Sequence, residues 1–320
     1  MIVDEINVFI TPETHPDIVW PAKIRTSDDH LLLYEGRRNE FLKFNYEAEE
    51  LMVIGREGRG PGEFLSVTKF WIRKDHYLLY DFNGAKLLTY DLEGQFLEEH
   101  TVDIGELTGS MHVLPSGGYV YPSKGENQAL FKIKNPGTET ITYAGTAVAG
   151  RDEPLGIDYL SIIRSGDIPN YMLNNIFLGS NESGIFAVQH ATALVQKFNM
   201  DGELIWERSL KEVDALRGVY NEFRQEVESQ DRYLPTLVYS YGNHVTDEGV
   251  AILLNTAAGF PVSIAWIPNN GDHIQIVEFP KVEKYDLPNN ILGFSIAHDQ
   301  NSIFFLSSSS GIVSRARWPI

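Results

Sequence analysis

Asp29-His30-Leu31-Leu32-Leu33-Tyr34 returns 46 residues later as Asp75-His76-Tyr77-Leu78-Leu79-Tyr80. At the same offset Leu42, Phe44, Asn45 and Leu51 return as Leu88, Tyr90, Asp91 and Leu97. Each copy holds short apolar runs between polar turns, the pattern of half-buried strands joined by hairpins. A unit of this length cannot bury its own apolar faces, so it must stack on others of its kind.

The turn between the first two strands recurs at Ser27–His30, Arg73–His76, Pro115–Gly118, Ser180–Gly184, Thr246–Gly249 and His298–Asn301, which predicts six units. A later turn recurs at Asn45–Glu49, Asp91–Gly94, Asn135–Gly137, Met200–Gly202 and Asn269–Gly271, and all but the first contain the glycine that a positive φ favours. The expected fold is all-β: a six-bladed β-propeller with four-stranded antiparallel blades near 20–54, 65–103, 110–144, 173–210, 236–280 and 290–320, in one domain spanning 1–320. The last blade runs out of chain after three strands. Ile6-Asn7-Val8-Phe9-Ile10 is predicted to supply its fourth and close the ring, since an unpaired sheet edge is a liability.

The 320 residues include no cysteine, which removes disulfides and thiolate metal sites. Forty-four acidic against 26 basic residues give a formal net charge of −18, a field that repels nucleic acid and anionic lipid unless a local basic patch overrides it. Arg37-Arg38 lies beside Glu35 and Glu40 and reads as a solvated loop rather than such a patch. No apolar run reaches the roughly 18 residues of a membrane span. The N-terminus shows no export signal, so the expectation is either a cytoplasmic protein or an exported one whose signal is missing from this chain.

Connections between blades are long at 145–171, 211–235 and 281–289, and elaborated loops on a rigid scaffold are where sites concentrate. The 211–235 insertion is predicted to be helical: Leu216, Val219, Tyr220, Phe223 and Val227 share one side, Arg217, Glu222, Arg224, Glu226 and Glu228 fall elsewhere, and Ser209 with Glu212 has capping-box spacing. Pro235 marks its far limit.

The run Gly55-Arg56-Glu57-Gly58-Arg59-Gly60-Pro61-Gly62-Glu63-Phe64 crosses from blade 1 to blade 2. It is no phosphate loop, because no Lys-Ser or Lys-Thr follows its glycines. Arg56 and Arg59 with Glu57 and Glu63 read either as a clamp for a carboxylate or as charges tying the blades together, with Phe64 anchoring the crossing.

With Tyr80-Asp81-Phe82-Asn83 and Tyr90-Asp91-Leu92-Glu93-Gly94-Gln95-Phe96-Leu97, this run resembles the blade signature of NHL-type six-bladed β-propellers. It is most similar to the bacterial 6-bladed, TolB-like propeller proteins that are exported, often as lipoproteins, and the resemblance is specific over residues 20–100. It implies a binding protein outside the cytoplasm, with a lipid anchor where an export signal has been removed, and no shared catalytic residues. Gly60-Pro61-Gly62-Glu63-Phe64 and Asp81-Phe82-Asn83 match the family's recurrent elements, the second one residue short; Gly125-Glu126-Asn127, Gln189-His190 and Asn255-Thr256 depart from it.

No Gly-x-Ser-x-Gly elbow, His-Glu-x-x-His pair or EF-type calcium loop occurs. His30, His76 and His298 fall in short turns and are expected to face solvent, with His112, His190 and His244 nearer the channel or long loops. The expected function is non-catalytic recognition of a neutral or cationic small molecule, carbohydrate or protein segment, without cofactor. Its candidate residues are Arg56, Arg59, Glu63, Asp81, Asn83, His112, His190 and Asn255, which the strand count puts near one mouth. The first alternative is a calcium-dependent lactonase holding its cation with Glu63, Asn174, Asn175, Asn255 and Asn290. The second is a scaffold that recruits a protein through the helical insertion.

Overall fold

The 46-residue period is the distance between two successive four-stranded sheets. In the computed structural model, which describes residues 1–320 except 4, 103–109, 124, 139, 149–156, 230–235, 281–290, 298–300 and 308–310, the chain groups into two compact units, residues 1–109 with 278–320 and residues 110–277.

The first unit opens with β1 (Ile6–Ile10), which leaves its sequence neighbours. Next come the sheet β2 (Pro21–Thr26), β3 (Leu31–Glu35), β4 (Glu40–Phe44), β5 (Glu50–Ile54) and the sheet β6 (Val67–Ile72), β7 (His76–Asp81), β8 (Lys86–Asp91), β9 (Phe96–Thr101), each paired in sequence order. β3 is buried along its whole length whereas β9 is exposed at every position after Phe96, so burial falls from the inner strands to the fourth. Glycine at the later turn has the expected left-handed backbone at Gly94, φ 77°; at the equivalent place in the preceding repeat Ala48 holds φ 66°.

The second unit contains three sheets, again paired in sequence order. They are β10 (His112–Val113), β11 (Tyr119–Pro122), β12 (Phe131–Lys134), β13 (Ile141–Ala144); β14 (Ile176–Asn181), β15 (Gly184–Gln189), β16 (Leu194–Phe198), β17 (Leu204–Ser209); and β18 (Ser240–Val245), β19 (Gly249–Leu254), β20 (Val262–Pro268), β21 (Gln275–Phe279), whose last two residues count with the first unit. Its largest apolar core runs from Ile163 and Met172 through Phe186, Val188, Leu216, Phe223 and Val227 to Ile267.

The remaining sheet returns to the first unit as β22 (Ile291–Ala297), β23 (Ser302–Ser307) and β24 (Val313–Arg317), and β1 completes it. Ile6 pairs with Ala316 and Ile10 with Val313, antiparallel, so the N-terminal strand closes the last blade as the strand count requires. Ile10 is fully buried in a core with Leu31, Phe44 and Phe304.

Among the described residues two α-helices interrupt the strands, α1 (Tyr159–Ser165) and α2 (Val219–Ser229). α2 lies between the fourth and fifth blades with Val219, Phe223 and Val227 buried, the face expected from its periodicity. Its start differs. The Ser209 hydroxyl accepts from the Lys211 N–H, not from a helical turn; a short 3-10 turn at Asp214–Leu216 and Gly218 at φ 97° intervene, and the helix begins at Val219. Pro235 and the 281–289 connection lie outside the described residues.

Candidate functional site

In the first unit the 55–64 crossing folds on itself. Gly58 N–H donates to the Phe64 carbonyl, Phe64 N–H to Arg56, and Glu63 N–H to Gly60, while the fully buried Phe64 ring plugs the end. The Glu63 carboxylate accepts from Gly60 N–H at 2.9 Å and from Arg56 Nε at 2.8 Å, and these partners hold it below the usual carboxylate range. The candidate clamp thus closes on itself, with Arg56 and Arg59 reaching solvent. Asp81, expected at a ligand, is fully buried and accepts from the N–H groups of Leu65, Ser66 and Gly84: it fastens backbone. Asn83 is exposed in the turn after it.

His30 also departs from expectation, being only 2 % exposed. Its Nδ1 contacts Ser27 Oγ at 2.8 Å and Asp29 Oδ1 at 2.6 Å, and its Nε2 meets the Tyr77 hydroxyl at 2.9 Å. Tyr77 stands in the next repeat, a partner that local sequence does not announce. His76 keeps a surface pair with Asp75, and His298 lies outside the described residues.

In the second unit three candidates lie along one series of backbone bonds. His190 N–H donates to the Asn175 carbonyl, Tyr239 N–H to His190, and Asn255 N–H to Tyr239, placing Asn175, His190 and Asn255 at the ends of their strands. His112 is not among them. It contacts Ser180 Oγ at 2.9 Å, beside the Asn181–Gly184 hairpin, whereas His190 follows the Gln189–Ile176 pair at the opposite end of the β14–β15 ladder.

The metal alternative fares no better as a cluster. Asn174 Oδ1 accepts from Val148 N–H, Asn255 Oδ1 from the Tyr241 hydroxyl, and Asn175 Nδ2 donates to Tyr171 and Met172 carbonyls; Glu63 belongs to the first unit, and Asn290 lies outside the described residues. Among the described residues no three His, Cys, Asp or Glu side chains gather to hold a metal ion.

The second unit does contain a cleft of about 530 Å³ that the sequence reading missed. Its wall is α1. Asp158 caps the helix by accepting from Ser161 N–H at 3.1 Å, and Gly166 ends it at φ 95°. The Tyr220 hydroxyl of α2 reaches the carbonyls of Ile163 and Asp167 and ties the two helices together. Val148, Ile157, Tyr159, Ile162, Ile168 and Leu173 give the cleft apolar sides; Asp167, Asn170 and Thr192 supply polar groups. Asp158, Leu160, Ile163 and Gly166 were the legible signals, but seven residues is short for a helix to show by periodicity. His190 lies against Phe177 with ring centroids 3.9 Å apart and the rings tilted by 30°, and its Nε2 has no hydrogen-bond partner among the described residues. Burial lowers its pKa to about 4.

Residues 2–142 match the family model described as "6-bladed beta-propeller". With six four-stranded antiparallel sheets, the last completed by the first strand, the match and the topology agree. The chain is a six-bladed β-propeller. Solved propellers resemble it over almost its whole length. A Bacteroides fragilis protein assigned as exported is 14% identical with TM-score 0.57, covering 98% of this chain and 94% of its own. A Bacteroides vulgatus protein of a family of unassigned function is 9% identical with TM-score 0.51, covering 98% and 94%. A streptogramin B lyase is 12% identical with TM-score 0.50, covering 98% and 97%. At such identities the likeness is one of fold. No curated protein matches the sequence significantly. No described helix of the propeller is long and apolar enough to cross a membrane.

Proposed function

We propose that this propeller is a non-catalytic recognition protein working outside the cytoplasm, and that the α1 cleft takes a neutral or cationic small molecule or carbohydrate. The supporting observation is the cleft itself: apolar sides with a few polar groups are the usual composition of a small-molecule pocket. Among the described lining residues Asp167 is the one carboxylate, and it favours a neutral or cationic occupant. Tyr159 and the exposed Tyr171, in edge contact at 4.9 Å, add aromatic surface next to it.

The test is a thermal-stability screen of neutral and amino-bearing saccharides against the wild type and Ile162→Trp, which fills the cleft. A ligand that binds only the folded state raises stability with its concentration. A saturable rise that is absent in I162W supports this reading. A calcium-dependent rise, with lactone hydrolysis that a chelator abolishes, would replace it with the hydrolase. Capture of a protein partner lost on replacing exposed α2 residues such as Glu226 would replace it with the scaffold.

A further inference from the structure

Thr192 lies in the turn between β15 and β16 and belongs to the wall of the α1 cleft. Its hydroxyl donates to Gln189 Oε1 at 2.8 Å, Gln189 Nε2 donates to Gln196 Oε1 at 3.1 Å, and Gln196 Nε2 donates to Glu207 Oε2 at 2.7 Å. Sheet register builds this relay. Gln189 pairs with Leu194, Gln196 stands two residues further along β16, and Gln196 pairs with Glu207 on β17. Side chains two apart on a strand share a face, so all three fall on the same side of the sheet.

The direction of the relay is set at its outer end. Glu207 is exposed and, as a carboxylate, has no proton to give, so it turns the Gln196 amide with its NH2 toward β17 and its oxygen toward Gln189. Gln189 and Gln196 are 2% and 7% exposed, and reversing either amide would set like groups against each other with little water to relieve them. The Gln189 oxygen therefore faces Thr192 and commits the hydroxyl proton. What Thr192 Oγ1 has left are lone pairs, to which a ligand can only donate. The Asp167 carboxylate in the same wall is likewise an acceptor.

We propose that this relay makes Thr192 an obligatory hydrogen-bond acceptor and that, together with Asp167, it selects ligands presenting N–H or O–H donors, an ammonium group above all, over ligands of equal charge that lack them. The inference rests on the cleft as the binding site and adds the chemistry by which the cleft selects. Thr192 is its specificity residue, and Gln189, Gln196 and Glu207 are positioning residues that act through Thr192. An ammonium between a carboxylate and a fixed hydroxyl oxygen makes a charge-assisted bond to each.

The experiment titrates the full chain with three probes, following melting temperature and heat of binding. They are cyclohexylammonium, cyclohexyltrimethylammonium, which has the same charge and no N–H, and cyclohexanone, which only accepts. Cyclohexylammonium should bind more tightly than its trimethyl form, and that ratio should fall about fivefold in T192V and persist in T192S. Glu207→Lys gives the relay a donor in place of an acceptor and should turn both amides over, so that Gln189 donates to Thr192 and the hydroxyl proton is freed for the ligand. The ratio, in which the added charge cancels, should then fall, and cyclohexanone should gain about fivefold, a gain absent in T192V/E207K. Equal affinity for the two ammonium probes in wild type, a ratio that T192V leaves unchanged, or a ratio and a cyclohexanone affinity that E207K leaves unchanged overturns the proposal while the cleft reading stands. No saturable response to cyclohexylammonium, or an equal one in I162W, also overturns it; the cleft reading falls with it only where the saccharide screen is blank as well.

Discussion

Glu35 and Asp81, 46 residues apart, close the same backbone clamp in successive blades. Glu35 accepts from the N–H groups of Val19, Trp20 and Arg38 at 3.3, 2.5 and 2.7 Å; Asp81 accepts from Leu65, Ser66 and Gly84 at 2.9, 2.9 and 3.0 Å. The donors correspond pair by pair at the same offset, and both carboxylates are fully buried. Each fastens the incoming crossing to the end of the second strand through charge-assisted bonds from three backbone N–H groups. Glu35→Gln and Asp81→Asn should each lose about 1–3 kcal/mol in urea denaturation, because the amide turns an NH2 group toward backbone donors. Full stability in D81N with loss of a bound ligand would restore Asp81 to the ligand site.

Removing residues 1–11 should lower the melting temperature by several degrees. The deletion strips β1 from β24, unburies Ile10's partners and removes the bonds joining Met1 and Val3 to Glu278. An unchanged transition by circular dichroism would show that β1 contributes nothing to the last blade.

Gly62 and Gly60 separate the effects of backbone and space. Gly62 sits at φ 70° and a Cβ there would lie 2.8 Å from Phe96, so Gly62→Val should cost at least about 1–3 kcal/mol. Gly60 has no such φ, and its added Cβ would meet only the movable end of Glu63 at 3.1 Å. Gly60→Val is expected to be the milder of the two, measured by denaturant midpoint.

Stability should fall as the pH drops from about 6.5 to about 4 with His190 as one source. Its folded pKa of about 4 lies below the unfolded value near 6.5, so in that window the unfolded chain binds the extra proton; above 6.5 the contribution is complete, and below 4 it is gone. The shift corresponds to about 3 kcal/mol at most. His190→Phe, which keeps the ring on Phe177, should flatten this part of the pH profile; an unchanged slope would show that His190 is not its source.

The sequence by itself determined the architecture, because period, turn glycines and strand alternation are local properties repeated in each blade. The 46-residue offset located two blades, the shortage of strands after residue 290 assigned β1 to the last sheet, and the spacing of Val219, Phe223 and Val227 gave the buried face of α2. Only the tertiary structure decided what individual polar residues do. Asp81 reads as a loop carboxylate until its three N–H donors are seen, and His30 reads as a turn histidine until Tyr77 of the next blade meets its ring. The cleft beside α1 was equally silent in sequence. Strand patterning is set by neighbours one or two residues away, whereas the role of a buried charge or a cavity depends on partners that folding brings from tens of residues away.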